Sequence, residues 1–140
     1  LRVTGHLKNE TLASLLEDPS EHLRAWAIQL LAEDKKPSES VRKEFVRMAQ
    51  SDKSPLVRLY LASAMQRLSL KHRVSVLKAL LTHVEDVDDQ NLPLMYWYAT
   101  EPVVAADKIA AVQLLATCKI PKVRQFITRR MATGREESDE

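Results

Sequence analysis

The side chains in this sequence that could do chemistry are few and scattered. Four histidines, His6, His22, His72 and His83, include no pair four residues apart, the helical spacing that sets two imidazoles on one metal ion. Each therefore reads as a surface or capping histidine. The single cysteine, Cys118, excludes an internal disulfide and has no histidine at ligand spacing. It follows Ala116-Thr117 at an expected helix end and reads as a small packed residue, with no base placed to activate it. The acidic run Glu85-Asp86-Val87-Asp88-Asp89 has ligands suited to calcium, yet it lacks the alternating oxygens and the glycine turn of a dedicated loop. It reads as a solvated linker whose Asp89 or Asn91 caps the next helix. No catalytic residue, metal site or cofactor follows from this inventory, and the chain is expected not to be an enzyme.

Recognition is the chemistry that remains. Tyr96, Trp97 and Tyr98 are consecutive, and neighbours on a helix point about 100° apart, so the three rings cannot share one apolar stripe. At least one should be exposed, where tyrosine and tryptophan favour partner binding. Charge is also segregated. Residues 79–107 carry six carboxylates and no Lys or Arg, whereas 118–135 carry Lys119, Lys122, Arg124, Arg129, Arg130 and Arg135 and no carboxylate. A basic helix of this kind makes nucleic acid the alternative partner, although the net charge of +2 argues against it.

These residues need a frame, and composition narrows it to helices. The only glycines are Gly5 and Gly134, so the chain between them lacks the residue on which hairpins, bulges and phosphate loops depend. Hydrophobic content is 45% and charged content 29%, values of a globular chain with no run long enough to cross a bilayer. Periodicity predicts eight helices in four pairs. Asn9 caps the first, which carries Leu12, Leu15 and Leu16. Asp18-Pro19-Ser20-Glu21 opens the second, with Asp18 as cap, Pro19 in the first position and Glu21 closing a capping box. Its stripe is Leu23, Ala27 and Leu30, and the next helix buries Val41, Phe45 and Met48. Ser54-Pro55 repeats the start signal before Val57, Leu61, Ala64 and Leu68, and Val74, Leu77, Leu81 and Val84 follow. Pro93 opens a short helix ending near Tyr98, and Pro102 turns the chain before Ile109, Val112 and Leu115. Pro121 opens the last, with Val123, Phe126 and Ile127.

A signature recurs along these helices. Asp is followed five residues on by Leu or Val and then by Arg: Asp18 with Leu23-Arg24, Asp52 with Val57-Arg58, a weakened Asp89 with Leu94-Met95, and Val123-Arg124 with Cys118 in the Asp position. The apolar members lie 34, 37 and 29 residues apart, the repeat length of helix-pair solenoids. Arg forks match carboxylates, so Arg24 and Arg58 are expected to pair with Asp18 or Asp52 across repeat interfaces, with Arg124 continuing the ladder.

The Asp-x-x-x-x-Leu/Val-Arg spacing resembles HEAT repeats. The strings DPSEHLRAWAIQLLAED at 18–34, SPLVRLYLASAMQRL at 54–68, DDQNLPLMYWYATEP at 88–102 and IPKVRQFITRR at 120–130 are similar to the HEAT region of planctomycete-type membrane-bound dehydrogenases. That resemblance covers roughly residues 1–133. It implies a parent protein with a propeller-like sugar-dehydrogenase domain and a C-terminal c-type cytochrome domain, in the periplasm or cell envelope. Neither the propeller's catalytic residues nor a CxxCH haem motif lies in this chain, so neither activity transfers to a residue here.

The expectation is an all-α superhelix, a HEAT-like solenoid of about four helix pairs over 1–133 with a charged, disordered tail or linker at 134–140. Leu1-Arg2-Val3-Thr4-Gly5 reads as a helix end closed by glycine, so the chain reads as an excised segment. Its expected role is a scaffold or spacer contacting neighbouring domains or another protein, without nucleic-acid or membrane contact.

Overall fold

The computed structural model describes residues 11–33 and 37–139, with side chains described to Thr133. The expected glycine-closed helix end at 1–5, His6 and the Asn9 cap lie outside these residues. Serines start most of the helices. Ser20 Oγ accepts the Leu23 N–H at 3.4 Å, Ser38 the Val41 N–H at 3.3 Å and Ser54 the Val57 N–H at 3.3 Å, each satisfying a donor that the first turn leaves unpaired. Asp107 does the same with two bonds, from Ile109 N and Ala110 N, both at 3.1 Å.

After a helical segment at 11–15 the order is α1 (Glu21–Ala32), α2 (Glu39–Ser51), α3 (Pro55–Met65), α4 (Leu70–Leu80), a 3-10 turn (Val84–Asp86), α5 (Leu92–Ala106), α6 (Lys108–Thr117) and α7 (Pro121–Asp139). No strand occurs among the described residues. Successive helices alternate between two layers, α1, α3, α5 and α7 stacking in one and α2, α4 and α6 in the other. The core fills the space between them, with Ile28, Phe45, Leu61, Leu77, Val123 and Ile127 fully buried. Because helices two places apart stack on one another in both layers while neighbours in sequence pack across them, the architecture is an all-α solenoid, as the repeat spacing predicts.

Four expectations are corrected. The cap of α1 is Ser20, not Asp18: the Asp18 carboxylate accepts the Ser20 N–H at 2.9 Å and Pro19 lies before the helix. Glu21 closes no capping box, since it is the first helical residue and accepts a 2.7 Å bond from Ser54 in the next repeat. Pro102 makes no turn. It sits inside α5, which runs on to Ala106 without the bond that a residue with an N–H would donate there; the break comes at Asp107, whose extended backbone starts α6. The last helix also continues to Asp139 where a disordered tail is expected, consistent with the helix propensity of Arg135, Glu136 and Glu137.

In α6 the buried face is Ala110, Ala111 and Leu114, so Ile109 and Val112 of the expected stripe are exposed. Small alanines let α6 approach its neighbours closely, and the larger β-branched residues are left outside. In α4, buried Arg73 ties the helix to the turn before it and to α5. Its guanidinium donates to Leu68 O and Ala99 O, each at 3.0 Å, while burial without a carboxylate lowers its pKa.

Candidate interaction surface

The Asp-Arg signature builds a ladder between repeats. Arg24 donates from Nε to Asp52 Oδ2 at 2.9 Å and from Nη2 to Asp52 Oδ1 at 3.2 Å, while its Nη1 holds the carbonyls of Asp18 at 2.9 Å and Pro19 at 3.1 Å. Arg58 repeats the fork one unit on, but its carboxylate is Asp86, at 2.8 and 2.6 Å, and its Nη1 takes Asp52 O at 2.9 Å. Each Arg thus reaches forward 28 residues to the next repeat and back six to its own turn. The expected pairing of Arg58 with Asp18 or Asp52 is replaced by this forward step: Asp52 is taken by Arg24 of the preceding unit, and the Asp18 and Asp52 carboxylates also close their own turns onto Ser20 N and Ser54 N.

Asp86, rather than Asp89, is the third member of the ladder, and Asp18, Asp52 and Asp86 lie 34 residues apart. Asp89 instead accepts from Asn91 N at 2.8 Å and Leu92 N at 2.9 Å, capping α5 as anticipated. Leu92 stands where the other units carry Arg, and Tyr96 one turn later adds a donor to Asp86 beside the Arg58 fork, its hydroxyl 2.6 Å from Asp86 Oδ2. Burial opposes the charge on Arg58, but the Asp86 hydrogen bonds and charge outweigh it and the guanidinium is held above its usual pKa. Burial, reinforced by Asp86, drives the Tyr96 phenol far up as well. Arg124 continues the inward half of the pattern only, with Nη1 on Cys118 O at 3.0 Å and Leu115 O at 2.6 Å.

His83, Glu85 and Asp86 bring three ligand-type atoms within 4.8 Å of one another, a cluster that sequence spacing missed although the three are nearly adjacent. Their atoms are already engaged. His83 contacts Glu85 through Nδ1 and Ala49 O through Nε2, and Asp86 is taken by Arg58 and Tyr96. The cluster ties repeats together, and the expected solvated linker is in part a buried junction. Cys118 is buried too, which raises its thiol pKa.

The aromatic triplet divides by 100° steps into three environments. Tyr96 is fully buried on the ladder, Trp97 is half-buried with its ring 5.4 Å from Phe126, and Tyr98 is 55% exposed. Trp26 is 63% exposed on α1, a surface ring that periodicity alone did not single out. The available signal was register, since Trp26 follows Arg24 by two residues as Tyr60 follows Arg58. A groove of about 300 Å³ crosses α1, α3 and α5, its lining including Gln29, Leu59, Tyr60, Ala64, Arg67 and Met95. Trp26 lies one helical turn before Gln29 and Tyr98 one turn after Met95, so each exposed ring is a helical turn from a residue that lines the groove.

On the basic helix, Arg130 pairs with Glu101 at 3.2 Å, joining the two segregated charge blocks. No helix among the described residues is long and apolar enough to cross a membrane.

A family model described as HEAT repeats matches residues 9–91, more than half of the chain. Comparisons with curated proteins and with solved structures give no match. The repeat spacing, the two stacked layers and this match lead to one conclusion: the chain belongs to the HEAT-repeat family.

Proposed function

We propose that this chain is a non-catalytic scaffold that docks a protein segment in the groove crossing α1, α3 and α5. HEAT repeats form scaffolds for protein interactions, and the observation carrying the reading here is that groove together with two exposed rings, Trp26 and Tyr98, each one helical turn in sequence from a residue that lines it. Catalysis has no comparable support, because the titratable cluster is locked in the ladder and Cys118 is buried. The nucleic-acid alternative loses part of its footing as well: Arg130 is paired with Glu101 and Arg124 is tied to two carbonyls.

The occupant in this reading is a neighbouring domain of a larger protein or a separate protein. The sequence strings similar to membrane-bound dehydrogenases support a finer version, in which the rigid array sets a dehydrogenase domain at a fixed orientation to a cytochrome domain. A photo-reactive benzoylphenylalanine placed at Tyr98 in the parent protein tests the surface. It is expected to cross-link to another domain or protein, while the same residue at exposed Lys53, away from the groove, does not. Equal labelling from both positions would sink the reading.

A further inference from the structure

The groove crossing α1, α3 and α5 has a described helix on either side, so its walls do not depend on what precedes or follows these repeats. Its lining is neutral with one exception. Leu59, Tyr60 and Met95 are half-buried and leave apolar surface open, Gln29 and Ser63 supply exposed polar groups, and Arg67 brings the single charge. Gln66 beside it donates to Met95 Sδ at 3.8 Å, which joins the end of α3 to the α5 wall.

That charge is unspent. Elsewhere in the fold arginines find acceptors: Arg24 and Arg58 grip Asp52 and Asp86, Arg47 and Arg130 pair with Glu44 and Glu101, and buried Arg73 takes two carbonyls. The Arg67 side chain meets no acceptor among the described residues, although it is exposed beside this groove. Glu33, its counterpart one repeat back, is exposed but lies outside the lining. An unpaired guanidinium next to uncovered apolar surface is the composition of a binding hot spot.

We infer that the segment docked in this groove is acidic: an Asp or Glu of the partner polypeptide takes the Arg67 fork, and an apolar side chain next to it covers Leu59, Tyr60 and Met95. The inference rests on the docking reading above and adds the chemistry of the occupant. One planar fork matches one carboxylate, the geometry that Arg24 and Arg58 already make on Asp52 and Asp86. Phosphorylated segments are held by clusters of arginines and nucleic acid by rows of cations, whereas this lining has one. Because Arg67 is exposed, the pair contributes more to selecting the partner than to affinity, and it weakens with salt.

The benzoylphenylalanine probe at Tyr98 in the parent protein, combined with Arg67 variants, tests this. Arg67→Gln should lower the cross-link yield about threefold and Arg67→Glu about tenfold, while neither shifts the melting temperature, since Arg67 makes no bond within the described fold. Mass spectrometry of the linked product should find Asp or Glu beside the linked residue. Exchanging that residue for Lys should restore the yield of the Arg67→Glu variant. Full yield from Arg67→Glu, a linked segment without a carboxylate, or one that carries a phosphate in its place overturns the inference and leaves the groove as a docking site. Absence of any cross-link from Tyr98 overturns the docking reading and this inference together.

Discussion

Arg58 and Arg24 occupy equivalent positions and make the same fork, but their surroundings differ enough to predict unequal consequences. Both Arg58 and Asp86 are 2% exposed, so Arg58→Ala leaves a buried carboxylate held by Tyr96 alone and should destabilise by about 3–5 kcal/mol. Arg24 and Asp52 have side chains 19% and 9% exposed, and Arg24→Ala should lose only about 1–2 kcal/mol. Urea unfolding of the two variants side by side checks the order, and equal losses would contradict it. Cys118 gives a second expectation at this scale. Burial both covers the sulfur and raises its pKa, so alkylation by iodoacetamide should run more than about tenfold slower than for a free thiol until denaturant opens the fold. Much of this scale was legible in the sequence. Asp18, Arg24, Asp52 and Arg58 stand at a fixed offset that marks a ladder, and two adjacent forks realise it. Asp86 was hidden because Leu92 replaces the Arg that would have flagged it, while Asp89 mimics the spacing from the cap of the same helix. Asp86 is gripped by Arg58 of the preceding unit and also by Tyr96, four residues beyond the position where an Arg is expected, and a linear motif carries no information about that added donor.

Among the elements, α5 departs furthest from what local rules predict. Proline inside a helix forfeits a backbone bond, and sequence reasoning accordingly broke the helix there. Tertiary contacts override the penalty: α5 packs on α3, α4, α6 and α7, and Val103 and Val104 beyond the proline are buried. Pro102→Ala should therefore preserve the fold and raise stability by up to about 3 kcal/mol, read as a higher melting temperature. A large fall would mean that the proline's geometry is required. Starts were easier to read than faces. Ser54-Pro55 and Pro121 announce α3 and α7, whereas the exposed Ile109 and Val112 in α6 show that an apolar residue at helical spacing need not point inward once alanines make the closer contact.

At the scale of the whole molecule, repeat length, scarcity of glycine and the even placement of helix starts made the solenoid legible before any coordinate. The groove was not, because it arises between α1, α3 and α5 from residues far apart in sequence, and only register alignment relates Trp26 to Tyr60. The two forks also make the array uneven along its axis. A solenoid's stability is close to a sum of unit and interface contributions, so the weaker junction sets where opening begins. Here the junction tied by partly exposed Arg24 precedes the one locked by buried Arg58, Asp86 and Tyr96. Amide hydrogen exchange should then find α1 releasing its protons well ahead of α3 and α5, and simultaneous exchange would argue for one cooperative block. Placed under tension along its axis, the same array would act as a graded spring, yielding first at the α1 end while the segment that bears Tyr98 kept its shape.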